Sequence, residues 1–273
     1  MTRMLSFGGR IRSGCYRLQC RYASAVNYVS GEAFAFVVVE ETGPGPLNIV
    51  LAGDRPEAEV LEIRDRVIRF GRLTIPVPET AVYDAGIDLR GADRGCFSRN
   101  LSFLRHALVL HAPPKSLAFL MDPGRRGEFG SPFEQTMAGE FEQGSAAFAA
   151  GDFSAGTKLL RGKGYGLTPA GDDFLAGYLI ALQVCGRLTG RDFSPAVLCV
   201  AAEAKGSSGL VNAFLACAAG GYVADRFNAL LRALAGSDPG RIIEKSRLLF
   251  SAGATSGADQ AVGFLSGCLQ GGI

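Results

Sequence analysis

The chain has no apolar run of the length a membrane-spanning helix needs. Its longest dense apolar patch, Phe34 to Val39, has the length of a strand. Behind Arg3 there is no sustained apolar core of the secretory type, so the expected location is cytoplasmic. An excess of one charge is missing as well: 28 Lys and Arg against 26 Asp and Glu leave a formal net charge of +2, with no Lys/Arg stripe. That removes the electrostatic footprint of a nucleic-acid binder and leaves no membrane partner to expect. The seven cysteines contain no C-x-x-C pair, and several lie in apolar helical patterns, so reduced thiols are expected rather than a disulfide framework or a zinc site. The two histidines, His106 and His111, are five apart, off the spacing that puts two ligands on one helix face, and read as ordinary helix residues. Also missing are the Gly-x-Ser-x-Gly nucleophile elbow, the P-loop and the dinucleotide fingerprint.

What is present is glycine, 37 of 273 residues, on a globular composition with 48% hydrophobic residues. Residues 11–95 read mainly as short strands. Thr42-Gly43-Pro44-Gly45-Pro46 is a turn between Phe34–Glu40 and Leu47–Ala52, residues 60–70 partly alternate, and Pro76 and Pro78 suit the edge of a sheet. From about residue 98 the apolar period becomes helical: Leu101, Leu104, Ala107, Leu108 and His111 share one face. Further helices are expected at 132–150, capped by Ser131, through Leu160, to about Cys185, and near 195–204, 208–219, 222–235 and 239–250, with a terminal helix after them. The expected fold is α+β: a small N-terminal β-sheet or barrel in a domain of residues 1–97, then an all-helical domain of residues 98–273.

One stretch organises the helical half: Gly162-Lys163-Gly164-Tyr165-Gly166-Leu167-Thr168-Pro169-Ala170-Gly171-Asp172-Asp173. Its glycines permit close approach of backbone to a ligand, and Thr168-Pro169 reads as an N-cap followed by proline in the first turn. Asp172 and Asp173 then fall in that turn. A second stretch, Thr255-Ser256-Gly257-Ala258-Asp259, repeats the pattern: Gly-x-Asp-x-x-x-Gly-aromatic-Leu recurs from Gly171 and from Gly257, 86 residues apart. Asp152 and Asp238 stand at the same offset, each ahead of a helix leading into a loop. Asp173 and Gly177 share a helix face, as do Asp259 and Gly263, so two helices can cross closely with both N-termini at one place. There the helix N-termini favour an anion, and the carboxylates suit an amide, an ammonium or a metal ion.

The candidate catalytic residues are therefore Asp172, Asp173 and Asp259, which are also the candidate metal ligands. The pattern names no cofactor outright, and Mg²⁺ is the candidate. The candidate ligand-binding residues are Lys163, Gly164, Gly166, Thr168, Gly171, Ser208, Asn212, Thr255, Ser256 and Gly257. For Ser208 and Asn212, capping of the helix that follows is the simpler reading.

The motif Gly-Leu-Thr-Pro-Ala-Gly-Asp-Asp, with the later Thr-Ser-Gly-Ala-Asp, resembles a domain-of-unknown-function family. That family includes the smaller subunit of oxamate carbamoyltransferase, from anaerobic allantoin breakdown and so purine catabolism. The likeness runs in order through the β half, the first loop, the Ser207 to Asn212 helix start and the last loop. Ala170 stands where that family usually has serine, and Ala254 where it often has a larger polar residue. The resemblance implies carbamoyl transfer between carbamoyl phosphate and oxamate, in a complex with other protein subunits. The small anionic ligand would be carbamoyl phosphate or phosphate. Two readings stand beside it: a Mg²⁺-dependent hydrolase of a phosphate- or ribose-containing small molecule, and a non-catalytic assembly subunit.

Overall fold

The computed structural model describes residues 2–53 and 55–273. The chain divides into two compact units, Met1–Gly86 with Tyr222–Asp225, and Ile87–Gly221 with Arg226–Ile273. The sequence pattern alone suggests one boundary, at 97/98.

The first unit holds β1 (Arg3–Gly8), β2 (Gly14–Arg21), β3 (Ala25–Ser30), β4 (Ala33–Val38), β5 (Asn48–Ala52), β6 (Val60–Arg64), β7 (Val67–Phe70), β8 (Leu73–Pro76) and β9 (Val82–Tyr83). They form one curled, half-barrel sheet in the order β8-β7-β6-β2-β3-β4-β5-β1-β9. Neighbours are antiparallel except β4–β5 and β1–β9. Alternation buries Leu61 and Ile63 on β6 and Ile68 and Phe70 on β7, with Tyr16, Tyr28, Ile49 and Ile75 in the same core. The arginines at 64, 66, 69 and 72 face out. Residues 60–70, a single run by their alternation, are two strands. Asp65 and Arg66 both take positive φ (50° and 60°), the geometry of a two-residue hairpin turn. Pro76 lies on an edge strand, where its missing N–H costs no ladder bond.

The second unit is helical: α1 (Arg94–His111), α2 (Pro132–Ala149), α3 (Phe153–Leu160), α4 (Ala170–Thr189), α5 (Ser194–Ala204), α6 (Gly209–Ala219), α7 (Asp225–Ala235, its first residue in the other unit), α8 (Pro239–Phe250) and α9 (Ser256–Gln270). Short 3-10 turns at Leu117–Leu120 and Pro123–Glu128 link α1 to α2. α1 starts ahead of the expected residue 98 because Asp93 caps it through the Cys96 N–H. α2 carries a full capping box, Ser131 with Glu134.

α4 is the central helix. It is buried from Gly171 to Leu182 without a break, as a helix apolar on every side must be. Phe148 and Phe153 pack against its Phe174 and Tyr178. Its main partner is α9, and glycine sets how closely they cross. A Cβ on Gly177 would come within 1.9 Å of the Gln260 carbonyl oxygen, and one on Gly263 within 2.0 Å of the Phe174 carbonyl oxygen. Gly177 matches Gly263 and Phe174 matches Gln260 in the 86-residue repeat, so the contact is reciprocal, as across an approximate two-fold axis.

Candidate functional site

Two helix–loop–helix units build the site. In the first, Asp152 caps α3, α3 ends at Leu160, and residues 161–169 lead into α4. In the second, Asp238 caps α8 and residues 251–255 lead into α9. Each loop returns tightly on the helix before it. A Cβ on Gly171 would lie 1.9 Å from the Leu160 carbonyl oxygen, and one on Gly257 1.9 Å from the Leu249 carbonyl oxygen. In the first loop Gly162, Gly164 and Gly166 all have positive φ (69°, 122° and 91°), which a side chain would strain. Gly164 also lies against the Ala170 backbone, where a Cβ would meet its nitrogen at 2.4 Å.

The cap at α4 differs from the expectation. Pro169, not Thr168, is the N-cap, and it supplies no side-chain bond. The Thr168 hydroxyl instead meets the Ser256 hydroxyl at 3.0 Å, tying one helix start to the other. The first-turn N–H groups are largely used by the loops themselves. Gly171 N–H donates to the Lys163 carbonyl (2.8 Å) and Gly257 N–H to the Ala252 carbonyl (3.1 Å). Asp172 and Ala258 N–H donate to the carbonyls of Pro169 and Thr255. Each helix thus keeps at most its first N–H for an anion, fewer than a bare helix start offers.

The three aspartates do unequal work. Asp172 is buried and accepts the Gly162 N–H at 3.0 Å, holding the loop to its helix. Burial raises its pKa, against the pull of that N–H and of Arg161. Asp173 lies deeper, and its Oδ1 accepts from the Gln260 amide at 3.0 Å. The Ser256 and Thr168 hydroxyls lie near enough to favour its charged form, and they also meet each other, while no hydrogen bond is formed to Oδ2. Burial dominates and pushes the Asp173 pKa up to about 7, with the charge of Asp172 adding to the rise. Asp259 is fully buried; its Oδ1 accepts the Leu117 N–H at 2.6 Å, and its Oδ2 is unpartnered too. Burial raises its pKa well above the usual carboxylate range, and the charge of Asp173 adds to the rise. Residues equivalent in the repeat therefore present the same arrangement: one oxygen held by a hydrogen bond and one buried oxygen without one, beside hydroxyls of Thr168 and Ser256 at Asp173 and of Thr255 at Asp259. Among the described residues no group of three or more His, Cys, Asp or Glu side chains is arranged to hold a metal ion. The three aspartates do not converge as a ligand set of that kind.

Some neighbours of this centre, Lys115 and Glu140 first among them, carry no sequence signal. Lys115 follows Pro113-Pro114 in a left-handed conformation (φ 58°), and its ammonium meets Glu134 at 2.5 Å. Two residues on, Leu117 N–H holds Asp259. Lys163, whose carbonyl holds α4, pairs with Glu140 at 2.8 Å. Both glutamates belong to α2, where only the capping box marks Glu134 in advance. Tyr165, at the tip of the first loop, packs its ring 6.2 Å from that of Phe133, and both are largely exposed. Ser208 caps α6 through the Val211 N–H, and the Asn212 amide binds both the N–H and the carbonyl of Gly206. This is the capping reading of those two residues. The turn they close follows the end of α5, which Arg161 of the first loop reaches by donating to the carbonyls of Glu203 and Lys205. Thr255 is the N-cap residue of α9 without a side-chain cap bond.

These features define a class: an α+β protein whose helical unit joins two Asp-bearing helix starts about an approximate two-fold axis. Residues 160–268, the stretch that carries both loops, match the family described as oxamate carbamoyltransferase subunit AllH. The match covers the helical stretch with both loops and not the strand-forming unit, so the similarity is of that stretch to the family. No solved structure matches the chain. No helix among the described residues is long and apolar enough to cross a membrane.

Proposed function

We propose that the chain is a ligand-binding subunit of an oxamate carbamoyltransferase-like enzyme, with a small anionic or carbamoyl ligand held at the paired starts of α4 and α9. The observation that carries this is the pair of unpartnered buried oxygens, Asp173 Oδ2 and Asp259 Oδ2. Buried polar oxygens without partners are costly, and a carbamoyl group offers N–H donors to a carboxylate and a carbonyl acceptor to a protonated carboxyl. Both oxygens are buried, so in this reading a ligand reaches them only when the residues covering them move.

In this reading Asp173 and Asp259 touch the carbamoyl group and orient it, and Asp172 positions the loop. Lys163 and the helix starts at Thr168–Gly171 and Thr255–Gly257 face the anionic end, and Gly164 and Gly166 allow close approach. Ser208 and Asn212 brace the turn beside the loop. Transfer forms a bond between the nucleophile's nitrogen and the carbamoyl carbon while the carbon–oxygen bond to phosphate breaks. The lost proton must pass to a base, and a carboxyl with a pKa of about 7 suits that step. The acceptor oxamate and completion of the active site are assigned to partner subunits, as the family's description as a subunit suggests.

The test is thermal denaturation of the isolated chain with carbamoyl phosphate, phosphate, oxamate or Mg²⁺, followed by carbamoyl-transfer assays with and without the partner subunits. Stabilisation by carbamoyl phosphate that Asp173→Asn and Asp259→Asn each remove, with turnover only in the complex, is the expected result. Stabilisation that neither substitution alters would overturn the assignment of the site.

A further inference from the structure

The close contact of α4 with α9 runs past Gly177 and Gly263 to the far ends of both helices. One turn on, a Cβ on Gly267 would lie 2.6 Å from that of Ala181, and a further turn on, one on Gly271 would lie 2.4 Å from the Cys185 sulfur. Ala181 matches Gly267 and Cys185 matches Gly271 in the 86-residue repeat, so the contact continues across the same approximate axis. Its last step departs from symmetry: α4 carries Leu182 and Cys185 where α9 carries Cys268 and Gly271. Gly271 leaves room for the Cys185 thiol, which reaches the Gly267 carbonyl at 3.9 Å and the thiol of the next residue, Cys268. Both cysteines are free and fully buried. Cys268 donates its S–H to Cys185. That bond, opposed by burial and aided by the charges of Arg191 and Arg94, holds the Cys185 pKa below its ordinary value. Burial and the same bond push that of Cys268 well above the ordinary value. The two arginines also tie down the chain beside Cys185. Arg94 donates to the Gly272 carbonyl at 2.8 Å and Arg191 to the Gly271 carbonyl at 3.4 Å.

We propose that Cys185 and Cys268 are a redox-active dithiol, which closes to a disulfide that staples α4 to α9 at the end opposite the aspartates. The inference is independent of the ligand proposed above. The oxidant is a peroxide, which reaches Cys185 when Gly271-Gly272-Ile273 lifts from the two arginines. Cys185 attacks as the thiolate: a sulfur–oxygen bond forms, the O–O bond breaks and hydroxide leaves, giving a sulfenic acid. The Cys268 sulfur then displaces the oxygen. The S–S bond forms, the S–O bond breaks, and the Cys268 proton leaves with the hydroxide as water. Both sulfurs are oxidised, and one hydrogen peroxide is reduced to two waters. Most buried thiols are inert. What distinguishes this pair is that each thiol already faces the other, with a donor and two guanidinium groups on the Cys185 side. Thiols in hydrogen-bond contact need only a small side-chain rotation to reach an S–S bond of about 2.0 Å.

The experiment exposes the full, reduced chain to equimolar hydrogen peroxide under native conditions, blocks the remaining thiols with iodoacetamide and maps the tryptic peptides by mass spectrometry. The expected result is the loss of two free thiols per chain and one linked pair of peptides, holding Cys185 and Cys268, lighter than their sum by two hydrogens. Dithiothreitol should restore both thiols. In Cys268→Ser the sulfenic acid has no partner to resolve it, so dimedone should label Cys185. In Cys185→Ser, Cys268 should stay unlabelled. Circular dichroism checks that the variants fold, and alanine replaces serine in any that do not; the wild-type peptide map needs no variant. Exposed Cys15 serves as the internal reference for oxidation. Oxidation of Cys15 with no linked 185–268 pair, or a linked pair formed only in urea, would overturn the proposal. Dimedone labelling of Cys268 in place of Cys185 would overturn the assigned order of attack.

Discussion

At the scale of single residues, Asp173 makes the molecule's stability depend on pH in a direction opposite to that of ordinary surface carboxylates. Its folded-state pKa, pushed up to about 7 by burial, exceeds the unfolded value of 3.8. Between those values the folded chain holds a proton that the unfolded chain has released, so stability falls as pH rises. The contribution is fully present below the unfolded value and is lost as pH rises through the folded one. A rise from 3.8 to about 7 corresponds to roughly 4 kcal/mol. Asp259 acts in the same direction. Asp88 and Glu134, lowered to about 2 by Arg90 and Lys115, contribute the reverse dependence only in acid. Urea midpoints between about pH 5 and pH 8 should therefore fall with pH in the wild-type chain and fall less steeply in Asp173→Asn, where Asp259 still contributes. Parallel slopes would show that residue 173 does not titrate in this window. The position of both aspartates is legible from their place in a repeated motif. Their burial is not, because depth depends on which helices cover a turn. Thr168 departs from its expected role for a related reason: its place before proline suits a cap, but the Ser256 hydroxyl from the other unit of the repeat claims it.

At the scale of elements, the α4–α9 crossing is the contact that sequence spacing exposes most directly. Glycines four residues after each aspartate predict close approach, and both meet main-chain carbonyls of the facing helix. Gly177→Ala and Gly263→Ala put a methyl group onto rigid backbone and should each cost about 1–3 kcal/mol or more in urea unfolding, since the helices must separate. Gly139→Ala, mid-way along α2 with nothing within 4 Å of its added Cβ, should instead stabilise by about 0.5–1 kcal/mol. A loss at Gly139 equal to that at Gly177 would mean that helical context, not the crossing, sets these costs. The loops are less legible. The first, 161–169, is longer than the second, 251–255, while α3 is correspondingly shorter than α8, so the 86-residue offset holds from Asp152 and Asp238 onward but helix and loop boundaries do not correspond. Along the sheet, the hairpin at Asp65-Arg66 is hidden because neither residue is glycine. The turn that carries Lys115 is hidden likewise, since its geometry is imposed by Glu128, Pro113 and Asp259 rather than by local residue preference.

At the scale of the whole molecule, the order of classes along the chain is legible, strands first and helices after. The return of Tyr222–Asp225 to the first unit is not, because no periodicity marks so short a segment. The central claim is that the two halves of the repeat make one ligand site. A double-mutant cycle on carbamoyl phosphate affinity tests it most directly, with wild type, Asp173→Asn, Asp259→Asn and the double variant compared by ligand-dependent thermal shift. If both carboxyls hold the same small group, each single substitution lowers affinity at least about tenfold, and the double lowers it by clearly less than the product of the two. Independent, multiplying effects, or wild-type affinity in either single variant, would contradict a shared site.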